Sequence, residues 1–371
     1  MHLPYSRARL TPDHFFVRIY VARGALTVMP IPVSFDALYL HIIIFAMMSR
    51  QKIVVTGSSG LLGRAVLAEV DSRSTFDAVG TAFSRASDKV VKLDLTDKDA
   101  VTAFLDRIRP NAIIHCAAER RPDVAETDPE ALVAINVHTT AHLATECAKR
   151  DVLLVYISTD YVFDGAKPID SVYVPGDVTN PLNAYGKSKR DGEVAVVDAF
   201  AAHPSAKYAI LRIPVLYGGE LHRGESAVSV LLDGLAAAQV PGSPKAKVDN
   251  VSIRYPTHTG DVARVLGDIA QLALVGDGQG APYLLRETLQ FSGQEKWTKY
   301  QMTVLFAKAL ALSMDNVEPV NHLDPNPSTP RPNHIRLDSS RLMHLAIEIS
   351  YWSFEKYWTE TLTKGGLLPT K

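Results

Sequence analysis

Lys52-Ile-Val-Val-Thr-Gly-Ser-Ser-Gly-Leu-Leu-Gly63 decides how the rest of the chain is read. The short apolar run Ile53–Val55 has the composition of a buried strand. Glycines follow at 57, 60 and 63, and the apolar periodicity of Leu61–Val70 then reads as a helix. Strand, glycine turn and helix N-terminus make an anion cradle, because unpaired backbone N–H groups and the positive end of the helix dipole face the space above the turn. Gly57 permits a sharp turn, Gly60 lets a pyrophosphate approach the backbone, and Gly63 lets the helix pack close to the sheet. The spacing is G-x-x-G-x-x-G and not G-x-G-x-x-G, yet the flanking strand and helix are what a dinucleotide fingerprint requires.

Outward from this turn the chain alternates strand and helix. Phe76–Ala82 reads as a second strand and Val90–Leu93 as a third; Asp97 then caps a helix that runs to about Arg107. Ala112–His115 is a fourth strand. Pro129, behind Asp128, opens a long helix to about Arg150, and Leu153–Ser158 is a fifth strand. A helix carrying Tyr185–Lys189 and a sixth strand, Tyr208–Ile213, complete the alternation. The expected fold is α/β, a doubly wound parallel sheet of the Rossmann type, with ligands outside the carboxyl ends of the strands, where Gly57, Ala117, Ser158 and Arg212 fall.

After Tyr217 the helical patterns Ser226–Ala238, Gly260–Leu274 and Thr298–Leu312 alternate with loops, and Asp324–Pro332 is too proline-rich to be helical. We expect a nucleotide-binding domain at 49–220, a smaller C-terminal α/β lobe at 221–350 covering the cleft, and a tail at 351–371. Residues 1–48 stand apart. Their apolar stretch Leu38–Met48 is about half the ~20 residues that span a bilayer, and no cleavage site follows it. An arginine-bearing, acid-poor start also suits a mitochondrial presequence. Met47 and Met48, just before the first strand, favour a non-native extension, and the segment is set aside.

The whole-chain balance excludes several functions. With 39 basic and 40 acidic residues in 371 and no long basic run, nucleic acid is not the expected partner, nor is a membrane. Cys116 and Cys147 lack C-x-x-C spacing and read as reduced, buried hydrophobes, which suits a cytoplasmic protein. His115 and His258 have no companion ligands at metal spacing, so no metal is expected.

Two further features bear on the turn. Tyr185-Gly-Lys-Ser-Lys189 puts a phenol and an ammonium on one helical face, where the ammonium is expected to lower the tyrosine pKa toward useful acid/base chemistry. Ser158-Thr159-Asp160, at the end of an apolar strand, supplies hydroxyls able to polarise a carbonyl. For the cofactor, an acidic group at the end of the second strand would favour NAD. Asp77 sits near the strand start instead, and the strand end offers Ser84 and Arg85, suited to a 2′-phosphate, so NADP(H) is expected.

With these residues the chain resembles the extended short-chain dehydrogenase/reductases, in Thr56–Gly63, in S-T-D-Y-V-F-D-G at 158–165, in Tyr185-x-x-x-Lys189 and in L-R-I-P-V-L-Y-G at 211–218. The 158–165 run is similar to the dTDP-4-dehydrorhamnose reductase branch. That resemblance implies Thr159 (Ser158 as alternative) as carbonyl polariser, Tyr185 as proton donor and Lys189 as holder of the ribose. It also places Asp94 and Leu95 beside the adenine and has Asn136 help hold the lysine. The cofactor set so implied is Gly57, Ser59, Gly60, Leu61, Leu62, Gly63, Ser84, Arg85, Asp94, Leu95, Ala117, Ala118, Tyr185, Lys189 and Arg212. His115–Glu126, Glu225–Val228, Arg254–His258, Thr298–Tyr300 and Arg331–Asn333 resemble the regulatory beta subunits of methionine adenosyltransferase, non-catalytic homologues of that reductase. This implies an NADP-binding subunit that docks on the catalytic subunit and modulates S-adenosylmethionine synthesis, the alternative being an NADPH-dependent reductase of a nucleotide-linked 4-dehydro sugar. Glu119 and Arg120 replace an aromatic and a threonine of the reductases, and Val215 a tryptophan; Thr363–Lys371 depart from the aromatic, basic tail of the beta subunits. Glu119, Arg120 and Arg121 are also read as a mutually paired surface cluster.

Overall fold

The structure, a computed structural model, describes residues 20–22, 25–27, 50–84, 87–169, 171–276, 282–366 and 368–370. The chain divides into two units, Met1–Ser49 and Arg50–Lys371. In the first, Tyr20–Ala22 pairs antiparallel with Ala25–Thr27; the rest of the 1–48 segment lies outside the described residues.

In the second unit the glycine turn joins β1 (Gln51–Thr56) to α1 (Leu61–Ser72). Then come β2 (Phe76–Ala82), β3 (Val90–Lys92), α2 (Lys98–Ile108) and β4 (Ala112–His115). Asp97 caps α2 by accepting from the Ala100 N–H at 3.0 Å, as its position ahead of the apolar pattern requires. A short helix, α3 (Pro122–Thr127), comes next, and the segment expected as one long helix from Pro129 is instead α4 (Pro129–Val133), a π-helical turn at Ala134–His138 and α5 (Thr139–Lys149). Asp128 does cap α4, accepting from the Ala131 N–H. β5 (Leu153–Thr159), α6 (Ala184–Ala201) and β6 (Tyr208–Ile213) follow.

The smaller elements are β7 (Leu216–Tyr217), α7 (Leu231–Ala237), β8 (Ala246–Asp249), β9 (Thr257–His258), α8 (Thr259–Leu274) and β10 (Arg286–Gln290). They end with α9 (Lys299–Leu310), β11 (Val317–Val320), α10 (Ser340–His344) and α11 (Phe354–Gly365). The helix expected from Ser226 forms only from Leu231, after the buried Ser226 and Ser229 hydroxyls bond each other and nearby backbone.

Seven strands pair in parallel in the order β10-β6-β5-β4-β1-β2-β3. Val54 faces Ile113, which faces Leu154, so three apolar runs stack in register at the sheet centre. One face is covered by α1 and α8 through Val66, Val70, Val262, Leu266 and Ile269; the other by α2, α5 and α6 through Phe104, Leu105, Leu143, Val196 and Phe200. This is the doubly wound α/β arrangement. A third core, with Tyr217, Leu232, Phe306, Phe354 and Trp358, lies beyond the sheet. Strand order reverses between β1 and β4, and a crevice opens at their carboxyl ends.

Candidate dinucleotide site

The crevice is a cavity of about 720 Å³, within the ~300–1,000 Å³ of small-molecule sites. Its floor is the glycine turn. Gly57 has φ +63°, and a Cβ there would stand 2.8 Å from the Ala117 backbone. A Cβ on Gly63 would stand 2.1 Å from the Gly57 carbonyl oxygen, so α1 starts in direct contact with the turn. Gly60 caps α1 without a side-chain hydrogen bond, and no acidic residue occupies the first helical turn, which leaves its N–H groups for an anion. A dinucleotide pyrophosphate fits this cradle. Ser58 turns away: its hydroxyl and amide both donate to the Thr81 carbonyl.

Of the residues expected to hold a cofactor, Gly57, Ser59, Gly60, Leu61, Leu62, Gly63, Asp94, Leu95, Ala117, Ala118, Tyr185 and Lys189 all line the cavity, with Ser158 and Thr159. Ser84 is exposed and does not line it, and Arg85 lies outside the described residues. Arg212 is a correction. Its guanidinium is buried in a bidentate pair with Glu193, at 2.8 and 2.7 Å, and donates to the Pro175 carbonyl, so it supports the wall without lining the cavity.

The polar set has its own geometry. Thr159 Oγ1 donates to Asp160 Oδ1 at 3.0 Å and accepts from the Tyr161 N–H. Ser158 Oγ is taken up by Glu193, to which it donates at 2.5 Å, and both hydroxyls line the cavity. The expected lowering of the Tyr185 pKa does not hold. Burial pushes the phenol up, and the hydrogen bond with Thr159 offsets only part of this. Lys189 Nζ lies 4.0 Å over the Tyr156 ring, and burial holds its pKa down to about 7. Asp160, buried, is raised to about 6.

Asn136 sits in the π-helical turn and is buried. Its amide bonds the backbone of Glu119 in both directions, at 2.9 Å each, and donates to Ser188 Oγ at 3.0 Å. It therefore fixes the Glu119–Arg120 loop and the neighbour of Lys189 rather than Lys189 itself. Glu119 pairs with Arg121 at 2.7 Å; Arg120 leaves that pair, lines the cavity and donates to the Glu225 carbonyl. His115 bonds Thr56 and Thr140, and burial lowers its pKa to about 3; His258 caps α8 through the Gly260 N–H. Both are structural.

A family model described as the RmlD substrate binding domain matches residues 51–363. The chain belongs to this family. It is 37% identical over 324 residues to methionine adenosyltransferase 2 subunit beta of Rattus norvegicus, covering 84% of this chain and 91% of that protein. It is 29% identical over 315 residues to dTDP-4-dehydrorhamnose reductase of Aggregatibacter actinomycetemcomitans, covering 81% and 95%. The solved dTDP-4-dehydrorhamnose reductase of Bacillus anthracis, in complex with NADP, superposes with a TM-score of 0.66 at 25% identity, covering 85% of this chain and 97% of that one.

Of the three positions expected to depart from the reductase pattern, Arg120 and Val215 line the cavity and Glu119 does not. Sequence reasoning missed several lining residues: Phe83, Asp160, Tyr161, Ser226 and Ala227. Asp160 and Tyr161 belong to the quoted 158–165 run and were within reach. Ser226 and Ala227 lie in the Glu225–Val228 run that carries the resemblance, but nothing local to that run tied it to the turn.

Proposed function

We propose that this chain is a non-catalytic, NADP(H)-binding regulatory subunit that assembles with the catalytic subunit of a methionine adenosyltransferase and modulates S-adenosylmethionine synthesis in the cytoplasm. The observation that carries this reading is 37% identity, across nearly the full length of both chains, to a protein named as that enzyme's beta subunit. The 29% identity to the sugar-nucleotide reductase is weaker. Arg120 and Val215 support it from the site, since an exposed guanidinium and a small aliphatic group stand where the reductases carry residues that receive the sugar.

In this reading residues 49–220 carry the nucleotide, 221–350 form the smaller lobe and 351–371 the C-terminal segment. The glycine turn holds the pyrophosphate, Asp94 and Leu95 border the adenine, and Tyr185 and Lys189 hold the nicotinamide ribose. Ser84 and Arg85 select the 2′-phosphate. In the reductase alternative NADPH would supply a hydride; in this reading the chain's part is to hold and orient the nucleotide. Among the described residues no helix is long and apolar enough to cross a membrane.

The test is to mix the protein with its organism's methionine adenosyltransferase and measure complex formation and the enzyme's kinetics, following NADPH absorbance with dTDP-4-dehydro sugars in parallel. A complex with altered kinetics is expected. No complex together with robust NADPH turnover would overturn the reading. That second reading, a reductase, is favoured by one observation: Thr159, Tyr185 and Lys189 line the same cavity. If turnover appears, Tyr185→Phe must abolish it while nucleotide binding persists.

A further inference from the structure

The segment from Gly218 to Ala227 reaches the cavity with Ser226 and Ala227. It starts at two glycines of positive φ, Gly218 at +105° and Gly219 at +76°, a backbone that other residues rarely adopt. Glu225 fastens the other end. Its carboxylate takes a bidentate pair from Arg64 of α1, at 2.6 and 3.0 Å, and the Leu221 N–H at 2.6 Å; its carbonyl takes Arg120. Arg64 also donates to Ser59 O at 3.0 Å and Gly219 O at 2.9 Å, so one guanidinium ties the glycine turn to both ends of the segment. The Arg64 and Glu225 side chains are 26% and 11% exposed, which limits competition from water.

Arg64 is at the start of α1, where the pyrophosphate cradle lies, and Arg120 is close enough to Tyr185 for its charge to favour the phenolate. A nucleotide extended from the turn to Tyr185 would share the cavity with the segment's Ser226 and Ala227. Contacts independent of Glu225 keep the segment attached elsewhere: the Gly219 N–H donates to Tyr357 Oη and the Arg223 N–H to the Pro369 carbonyl.

We propose that residues 218–227 form a latched strap across the dinucleotide cleft, with Glu225 as the latch, which slows release of the bound nucleotide. What the strap retains rests on the nicotinamide reading above; that it is latched by Glu225 does not. Strap opening has to break the Arg64 pair and the Arg120 contact together, so the closed state is favoured over partial opening. A strap of this kind suits a nucleotide that is kept in place more than one exchanged at each turnover.

The test uses the full chain. Hydrogen–deuterium exchange without nucleotide should show amides of 219–227 exchanging about tenfold faster in Glu225→Gln, with β1 and β4 unchanged. Release of NADPH, followed by stopped-flow fluorescence on displacement, should also speed up about tenfold. Arg64→Met, which also frees the Ser59 and Gly219 carbonyls, should accelerate both at least as much, and the double variant should be no worse than Arg64→Met, as expected when Glu225→Gln removes an interaction that Arg64→Met already removes. Unchanged exchange in a folded Glu225→Gln overturns the latch. Should that variant not fold, Arg64→Met gives the same exchange readout, and no acceleration there overturns it equally. Wild-type protein that binds no NADPH sinks the cofactor reading, while exchange still decides the latch.

Discussion

Lys189 is buried in the cleft wall with the Tyr156 ring as its contact, and burial holds its pKa at about 7 against an ordinary 10.5. The unfolded chain thus binds a proton between about pH 7 and 10.5 that the folded chain has released. Stability attributable to this residue is complete above 10.5 and is lost as pH falls to about 7. Cys116 opposes this only at higher pH, because burial raises its thiol to about 12 from 9.0. Denaturation of wild type and Lys189→Met between pH 7 and 9 should therefore diverge. Wild type gains on the variant as pH rises, by up to about 1.4 kcal/mol per pH unit. Parallel curves would show that Lys189 is not held neutral by burial. The spacing Tyr185-x-x-x-Lys189 placed both side chains on the right helix, since an i, i+4 interval is a property of the helix alone. It did not reveal that the ammonium lies over Tyr156, which comes from a strand 33 positions earlier. Arg212 was misread for the same reason: its partner Glu193 lies on α6, and nothing local in either sequence neighbourhood marks the pair.

The turn between β1 and α1 separates two uses of glycine. A Cβ on Gly63 would meet the Gly57 carbonyl oxygen at 2.1 Å and its carbon at 2.7 Å, both backbone atoms that no rotamer change can move aside. A Cβ on Gly60 would meet that oxygen at 3.3 Å, and its φ of −82° is ordinary. Gly63→Ala should destabilise the protein by about 1–3 kcal/mol or more. Gly60→Ala should cost under about 1 kcal/mol in stability yet weaken nucleotide binding, because the added methyl stands over the pyrophosphate. Urea denaturation and NADPH titration of both variants check this; equal stability losses would contradict the close packing of α1 on the turn. Elements of this kind were legible because a strand buried on both faces is an unbroken apolar run that stops where the turn begins. β2, β4 and β6 match their expected limits residue for residue. The π-helical turn at Ala134–His138 was not legible. It inserts one extra residue per turn without disturbing the apolar pattern, and only Asn136 in a helical stretch hinted at it.

The scale of the whole chain ranks its two ends differently. Met1–Ser49 separates as its own unit. At the other end α11 places Phe354, Trp358 and Leu362 in the core beyond the sheet, each at most 1% exposed. Trp358 packs on Phe306 with ring centroids 4.8 Å apart and planes tilted by 51°, and the Tyr217 hydroxyl donates to the Trp352 carbonyl, so the segment is a structural part of the lobe. Its aromatics were visible in the sequence, but their burial depended on Tyr217 and Phe306, far away in the chain. Removing residues 1–49 should leave the denaturation midpoint of the remainder unchanged. Removing everything from Tyr351 should strip the third core of three large side chains. Trp358→Ala alone should cost about 3–5 kcal/mol, as for other fully buried tryptophans. Thermal and urea denaturation of the two truncations and of Trp358→Ala decide the matter. An amino-terminal deletion as damaging as the carboxyl-terminal one would mean that the division at Ser49 does not describe how the chain folds. A Trp358→Ala protein as stable as wild type would mean that the lobe core is held by β8, β11 and α9 without α11, and that the C-terminal segment is free to serve as a detachable arm.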